Sequence, residues 1–425
     1  MPPVIDTTRE RAHGLDQDDP LAQARAAFVV ADPQLIYLDG NSLGRLPKAV
    51  FGRIQQVVQE EWGVGLIRSW NAGWWEAPRR LGEMIAPLVG AAPGEVMVSD
   101  STSINLFKLA TAAINLRPGR NRVITDEFNF PSDLYVLEGI VRFLGNRHQI
   151  IRIGADDHDI VPDLDELESA IDENTALVTL SHVTFKSGYL YDMRAITDMA
   201  HRKGALVLWD MSHSVGAVPI GLDGCDADFA IGCTYKYLNG GPGAPAFLYV
   251  NAARQEEVVS PIWGWWGEAR PFDFELDYQP GAGPHRFLTG TAPMLSMLAV
   301  EAALPLVLEA GIERLRQKSV ALTEYAIELT DARLLPLGFV LGSPRDPNRR
   351  GSHVSLRHPD AYRINRALIE DTHVIPDFRA PDNIRLGFAP LYTTYGEVWE
   401  AIDRICRVMS ERLFEKYSTG RLGVT

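Results

Sequence analysis

Three features are scarce in this sequence: cysteine, long apolar runs and positive charge. Its three cysteines, Cys225, Cys233 and Cys406, are too few for a disulfide framework and lack zinc-binding spacing, so we expect a reducing compartment, the cytoplasm, and no metal. No apolar run reaches the roughly 18 residues of a membrane-spanning helix. Residues 1–20 lack the apolar stretch of a secretory signal. The net charge of −14 argues against nucleic acid or an anionic membrane as a partner.

The length of 425 residues suits a large domain with a smaller one, and the apolar content of 46% is ordinary for a globular protein. Apolar strands alternate with helices in mid-chain, which predicts an α/β fold with a mostly parallel sheet wrapped by helices. We expect an N-terminal arm at 1–78 that contributes to the small domain or an interface, a large domain at 79–310, and a long connecting helix with a smaller C-terminal α+β domain at 311–425. The sequence predicts one amphipathic helix over Lys48–Glu61 and one strand over Val374–Asp377.

The most informative stretch is Asp228–Gly243, with the sequence DFAIGCTYKYLNGGPG. The apolar strand Phe229–Cys233 leads to Lys236 and then to a glycine-rich turn. Lysine is rarely buried without a role, and burial lowers the pKa of an amine and makes it a better nucleophile. The stretch therefore indicates a lysine that binds pyridoxal phosphate (PLP) as a Schiff base, with a surface lysine at a strand end as the alternative.

A second motif lies upstream, where the apolar strand Ala205–Asp210 ends in an acid and His213 follows three residues later. A buried parallel strand delivers such an acid to a ligand site at its carboxyl end. PLP needs an acid to keep its pyridine nitrogen protonated, so that the ring can act as an electron sink. A helix N-cap is the alternative for Asp210, but the combination with Lys236 favours the cofactor.

A run of small hydroxyl residues follows the short strand Glu95–Ser99 and opens a helix at Thr102 and Ser103. Backbone N–H groups, the helix dipole and hydroxyl groups converge at such a helix start, which favours a phosphate-binding site. Ordinary capping needs only one Ser or Asp.

The blocks WDMSHSVGAVP at Trp209–Pro219 and GCTYKYLNGGPGAPAF at Gly232–Phe247 resemble kynureninase, a family of PLP enzymes with the aspartate aminotransferase fold, the PLP-dependent transferase fold type I. The resemblance extends from YLDGNSLG at Tyr37–Gly44 to RLGFAPLY at Arg385–Tyr392 and so covers most of the chain. The strand-Asp and strand-Lys pattern alone would indicate only the wider fold type.

The resemblance implies a role for each of twelve residues. PLP is bound covalently to Lys236, and Asp210 pairs with the pyridine nitrogen. Arg385 binds the substrate α-carboxylate, for which its guanidinium fork is suited. The remaining cofactor contacts implied are Thr102 and Ser103 at the phosphate, Phe130 on the ring, Asp133 near the reacting groups, Ser181 on the phenolic side, His213, Tyr235 at the phosphate with a role in proton transfer, Trp265 at the phosphate across a subunit interface, and Thr291.

The implied activity is hydrolytic cleavage of the Cβ–Cγ bond of L-kynurenine to anthranilate and L-alanine in tryptophan catabolism, by a homodimer. Thr291 stands where animal members carry asparagine, which favours kynurenine and leaves its 3-hydroxy form as an open alternative. Two other interpretations are a cysteine desulfurase or aminotransferase of the same fold, and a non-catalytic scaffold. The tryptophan-rich segment Trp62–Trp75 indicates packing or an interface, with an aromatic wall near the substrate as the alternative.

Overall fold

A computed structural model of the chain describes residues 6–155 and 160–420. The strands are β1 Ile36–Tyr37, β2 Val96–Val98, β3 Arg122–Asp126, β4 Gln149–Ile153, β5 Thr175–Ser181, β6 Leu206–Asp210, β7 Phe229–Gly232, β8 Phe247–Val250, β9 Val340–Leu341, β10 His353–Arg357, β11 Val374–Ile375, β12 Asp377–Arg379 and β13 Asn383–Gly387. The α-helices are α1 Arg9–Gln17, α2 Lys48–Gln56, α3 Ala77–Val89, α4 Thr102–Asn115, α5 Pro131–Phe143, α6 Leu164–Ala170, α7 Met193–Arg202, α8 Met294–Ala310, α9 Ile312–Leu329, α10 Ala361–Thr372 and α11 Tyr395–Ser410.

The central sheet has seven strands in the order β2-β8-β7-β6-β5-β3-β4. The strands from β7 to β4 run parallel, and β8 is antiparallel to both of its neighbours. Every residue of β5, β6 and β7 is buried, because helices cover both faces of the sheet. The mostly parallel sheet wrapped by helices is as the sequence predicts. Its carboxyl edge is where ligands bind in such sheets.

A second sheet, with antiparallel strands in the order β12-β13-β10-β9, has its own apolar core. The N-terminal arm contributes Ala12, Ile36 and Leu38 to this core, whereas its residues Phe28 and Val57 are buried in the core of the central sheet. β1 pairs in parallel with β11, and a buried ion pair joins Lys318 on α9 to Asp19 of the arm at 2.6 Å. The arm therefore connects the beginning of the chain to its C-terminal part.

Two predicted elements differ from the structure. The helix predicted over Lys48–Glu61 is α-helical only to Gln56 and continues as a π-helix over Val57–Gly65, where Glu61 turns back to pair with Arg53. The strand predicted over Val374–Asp377 is split into β11 and β12, which belong to different sheets. Pro376 lies at the break and has no N–H group for a continuous ladder.

Within the described ranges, no single helix combines the length and apolar character needed to cross a membrane, and one bent pair, Met294–Ala310 with Ile312–Leu337 at 80°, meets those criteria by length and composition alone.

Candidate active site

A cleft opens at the carboxyl edge of the central sheet, where it meets the C-terminal sheet. Nine of the twelve predicted site residues line it, and four further residues join them. The nine are Thr102, Ser103, Phe130, Asp133, Asp210, His213, Tyr235, Lys236 and Arg385, and the four are Ser42, Ser132, Ser212 and Arg379. Residues that are far apart in the sequence are thus collected in one place by the strand order.

Lys236 follows β7 and projects into the cleft. Its Nζ lies 3.2 Å from Nε2 of His213, which is fully buried in the loop after β6. Gly44 contacts the backbone that carries Lys236, since its N–H donates to the carbonyl oxygen of Tyr235 at 2.8 Å. A Cβ atom at Gly44 would lie 2.3 Å from the Lys236 carbonyl oxygen, so only glycine fits this close approach.

Asp210 ends β6 and is buried beside Lys236. Its Oδ1 accepts a hydrogen bond from the N–H of Ser212 at 2.8 Å. Burial raises the pKa of this carboxyl, while Ser212 and the Lys236 ammonium act in the opposite direction. A protonated ring nitrogen beside Asp210 would stabilise its charged form.

Two helix N-termini converge on the cleft. α4 begins at Thr102 after the N-cap Ser101, and α5 begins at Pro131. The hydroxyls of Ser103 and Ser132, one from each first turn, lie 3.1 Å apart. The first turns of helices have backbone N–H groups without partners inside the helix, so this arrangement forms a binding site for an anion such as a phosphate.

A buried lysine supports the start of α4. Lys108 is fully buried, and its Nζ donates to Asp100 Oδ2 at 2.8 Å, to the Phe287 carbonyl at 2.6 Å and to Ser99 Oγ at 3.3 Å. Asp100 has a φ of 45°, which is uncommon for a residue other than glycine. The ion pair therefore holds the turn from β2 into α4 in its unusual conformation.

A second turn presents Phe130 and Asp133. Asp126 at the end of β3 accepts hydrogen bonds from the N–H groups of Phe128 at 2.9 Å and Asn129 at 2.6 Å, and from the Tyr191 hydroxyl. Burial raises the pKa of Asp126 to about 6. Burial, followed by the nearby Asp210, also raises the pKa of Asp133 well above its ordinary value, which favours its protonated form.

Arg385 on β13 is buried, and protein groups accept hydrogen bonds from most of its N–H donors. Its Nε donates to Asp377 Oδ1 at 2.9 Å, and its Nη2 donates to Asp377 Oδ2 and to Ser42 Oγ at 2.8 Å. Its Nη1 donates to the Phe185 carbonyl at 2.5 Å. The guanidinium lies in the predicted cleft, but the fork expected to bind a carboxylate faces Asp377 instead.

Asp39 and Asp377 form a carboxyl pair beneath these groups. Burial, and next the charge of Asp377, raises the pKa of Asp39 to about 7. Burial would raise the pKa of Asp377 as well, but Arg385 and Arg379 hold it below its ordinary value. One carboxyl of the pair is thus charged and the other titrates near neutral pH.

Three predicted site residues do not line the cleft of this single chain. Ser181 is buried at the end of β5, where its N–H donates to Asn129 Oδ1 at 2.6 Å. Trp265 is 40% exposed and stacks on Trp266 at 5.7 Å, and Thr291 is exposed. Trp265 and Thr291 are therefore not placed to contact a ligand in the cleft of their own chain.

Tryptophans of the segment Trp62–Trp75 pack away from the cleft. Trp70 and Trp75 contact Trp266 with ring centroids 5.1 and 5.5 Å apart. Trp74 donates to Glu61 Oε2 at 2.6 Å, and Trp62 is 56% exposed. Within one chain the segment therefore contributes to packing, and an aromatic wall near the substrate stays a prediction.

Three of the four cleft residues that were not predicted lie within or next to sequence features described above. Ser132 is next to the predicted residue Asp133, and Ser212 follows Asp210 by two residues. Ser42 belongs to the YLDGNSLG block, whose small polar loop could have indicated a contact. Arg379 had no such signal, because an arginine at the end of a short strand is usually solvated.

The fold and the cleft define the class of PLP-dependent enzymes of fold type I. Solved structures of this fold include a cysteine desulfurase from Thermococcus onnurineus, with a TM-score of 0.76 and 20% identity over 94% of this chain and 98% of that one. Another is the cysteine desulfurase CsdA from Escherichia coli, with a TM-score of 0.75 and 20% identity over 92% and 99%. Residues 69–228 match the DegT/DnrJ/EryC1/StrS aminotransferase family. At these identities the structures establish the fold alone.

Relatives at higher identity are more specific. Residues 315–405 match the kynureninase C-terminal domain. The kynureninase of Pseudomonas fluorescens is 45% identical over 411 residues, which is 96% of each chain. That of Burkholderia pseudomallei strain 1106a is 44% identical over 403 residues, 94% of each. The chain belongs to the kynureninase family.

Proposed function

We propose that this protein is a PLP-dependent kynureninase, which hydrolyses the Cβ–Cγ bond of L-kynurenine to give anthranilate and L-alanine. The observation that carries the proposal is the meeting of Lys236, Asp210 and Arg385 in one cleft, in a chain 45% identical to a kynureninase over nearly its whole length. We infer that the protein acts in the cytoplasm, in tryptophan catabolism by the kynurenine pathway, which also feeds NAD biosynthesis.

The residues of the cleft fit PLP. Lys236 would hold it covalently, Asp210 would pair with its ring nitrogen, and the first turns of α4 and α5 would bind its phosphate through Thr102 and Ser103. Asp210 suits this role because it is a buried carboxyl with a raised pKa, for which a cationic N–H is a favourable partner. When bound, PLP supplies an electron sink conjugated to the α-carbon of the substrate.

The side chains around Lys236 suit proton handling. Lys236 is the base nearest to an amino acid bound there, and it would move the proton at the α-carbon. Burial, and next Lys236, lowers the pKa of His213 well below its ordinary value, so the neutral ring accepts a hydrogen bond from the lysine amine. Cys233 and burial raise the pKa of Tyr235, which keeps its phenol protonated as a donor toward the phosphate or the leaving group.

A homodimer completes this proposal. Exposed apolar side chains are concentrated in two segments, 43–67 and 259–276. They include Phe51 at 69%, Ile67 at 77%, Phe272 at 67% and Phe274 at 79% exposure. Exposed apolar patches of this kind are typical of interfaces. In a dimer, Trp265 and Thr291 would reach the partner's cleft, which agrees with their position outside the cleft of their own chain.

The desulfurase interpretation needs a cysteine near the substrate. Cys225 and Cys233 are buried, and Cys406 lies on α11. None of the three, all of which lie in the described ranges, lines the cleft. The cysteines therefore give the desulfurase no support, and the intact set of Lys236, Asp210 and Arg385 argues against a scaffold without catalysis.

A single measurement tests the proposal: a visible absorption spectrum of the purified protein before and after L-kynurenine is added, with fluorescence of anthranilate followed in parallel. We expect a band from the lysine-bound cofactor and rising anthranilate. A band that shifts without anthranilate would keep PLP and direct attention to another reaction. The absence of a band, even after PLP is added, would overturn the proposal.

A further inference from the structure

The donors of Arg385 are almost used up by the protein itself. A guanidinium has five N–H donors. Asp377, Ser42 and the Phe185 carbonyl take four of those of Arg385, through Nε, Nη2 and one N–H of Nη1. The Asn41 amide, when its oxygen faces Arg385, adds a further acceptor at 2.8 Å from Nε. One N–H on Nη1 is left, which is too few to hold a carboxylate by two parallel hydrogen bonds.

A second guanidinium lines the same cleft. Arg379 is on β12, two residues from Asp377, so both side chains lie on the same face of that strand. Asp377 on β12 lies directly opposite Arg385 on β13, so the two arginines flank the same carboxylate. The Nη2 of Arg379 lies 2.7 Å from Asp377 Oδ2.

Arg379, unlike Arg385, has donors to spare. Its Nε is buried and has no hydrogen-bond partner among the described residues. Its Nη1 makes one contact of 3.3 Å, to the carbonyl of its neighbour Phe378, and Nη2 reaches Ser42 Oγ only at 3.4 Å. A buried donor without a partner is costly, and it is commonly satisfied by a ligand.

The charges nearby leave room for one more anion. Two guanidinium groups share the charged carboxylate of Asp377, and Asp39 is the second carboxyl of the cluster. When Asp39 carries its proton, the cluster has an excess of one positive charge. One carboxylate from a ligand would neutralise it.

We propose that Arg379 is a second binding residue for the α-carboxylate of the substrate, which is shared between the guanidinium of Arg379 and the remaining Nη1 N–H of Arg385. This inference rests on the proposed function, since it names how the same cleft holds its amino acid. The alternative role for Arg379 is to hold Asp377 and so support Arg385 without touching the substrate.

The experiment compares two ligands that differ only in the carboxylate, L-alanine and L-alaninamide, by titration of the PLP-loaded enzyme and its visible spectrum. We expect Arg379→Gln to lower the affinity for L-alanine by about 10- to 100-fold, the range for a lost hydrogen bond to a charged group. The affinity for L-alaninamide stays unchanged. Arg379→Lys restores part of the affinity for L-alanine. The KM for L-kynurenine rises by a similar factor, with kcat little changed.

Arg357→Gln is the matched control. Arg357 is on β10 of the same sheet and pairs with Asp382 at 3.1 Å, and it does not line the cleft. We expect this variant to bind both ligands like the wild type. A supporting role acts through Arg385, so in an Arg385→Gln background it predicts no further loss of L-alanine binding from Arg379→Gln, whereas a direct contact predicts a further loss. No further loss would overturn the inference, as would equal weakening of both ligands, or unchanged binding of both, in Arg379→Gln alone. A wild-type protein without a visible band would instead count against the proposed function.

Discussion

Nζ of Lys236 lies 3.2 Å from Nε2 and 3.5 Å from Nδ1 of His213. The ring of His213 is fully buried, and its lowered pKa keeps it neutral, so it can accept a hydrogen bond from the amine. Lys236 thus has a defined resting position beside Asp210 when it is not covalently engaged. A lysine that alternates between a cofactor and a substrate proton needs such a position.

The substitution Lys236→Ala removes both the covalent link and the base. We expect the visible band of the lysine-bound cofactor to disappear and kcat to fall by at least about 10²-fold, the low end of what a positioned acid–base group contributes. Absorption spectra and anthranilate release measure the two effects. Lys203→Ala, which removes a surface ion pair with Glu173, is the control and keeps both. Unchanged turnover in Lys236→Ala would refute the assignment.

The substitution Tyr191→Phe removes the hydroxyl that donates to Asp126. The pKa of Asp126 is already raised to about 6, and loss of the donor raises it further. We expect the free energy of unfolding to fall by about 1–3 kcal/mol, the cost of an unsatisfied buried group.

The loss from Tyr191→Phe depends on pH, because the hydroxyl stabilises the charged form of Asp126. A carboxyl with a raised pKa is protonated in the folded state below that pKa, where loss of the donor costs less. The loss is therefore smaller at pH 5 than at pH 7.5, and urea unfolding at the two values checks it. Phe143→Leu, at an exposed position on α5, serves as the control. A loss that is equal at both pH values would show that Asp126 does not titrate in this range.

The substitution Lys108→Met leaves Asp100 without its ion-pair partner beneath the start of α4. Breaking a buried pair by removal of one partner costs about 3 kcal/mol or more. We expect a loss of this size in urea unfolding, and a smaller one in the double variant Asp100→Asn with Lys108→Met, since no uncompensated charge is left. The single variant should also bind PLP more weakly than the wild type while pyridoxal, which has no phosphate, binds equally. An equal loss of affinity for both compounds would show that Lys108 does not support the phosphate site.

The substitution Thr291→Asn tests the specificity residue that the sequence suggests. An amide offers two N–H donors where the threonine hydroxyl offers one. We expect the ratio of kcat/KM for 3-hydroxykynurenine to that for kynurenine to rise by about 3- to 10-fold, as one added hydrogen bond allows. Steady-state kinetics with both substrates gives the ratio. Ser296→Asn on α8 is the control, since the nearer Thr289 contacts Asp100. An unchanged ratio in Thr291→Asn would place Thr291 outside the substrate site.

The sequence predicted the sheet and most of the cleft, because each relevant residue lies at a strand end or a helix start. Lys236 and Asp210 follow apolar strands, and Thr102 opens a helix, so local pattern and strand order were sufficient. The Asp39–Asp377 pair could not be predicted, since the two residues meet only through packing between the arm and the C-terminal sheet. Asp377 meets Arg385 because of the register between β12 and β13, and no single stretch of sequence encodes that register.

One short loop, Asp39–Gly44, touches both ends of the cleft. Ser42 accepts from Arg385 at 2.8 Å, and the Gly44 N–H donates to the Tyr235 carbonyl next to Lys236 at 2.8 Å. The loop therefore joins the backbone beside Lys236 to the guanidinium of Arg385. We expect a residue inserted between Ser42 and Gly44 to shift Arg385 relative to Lys236 without altering either side chain.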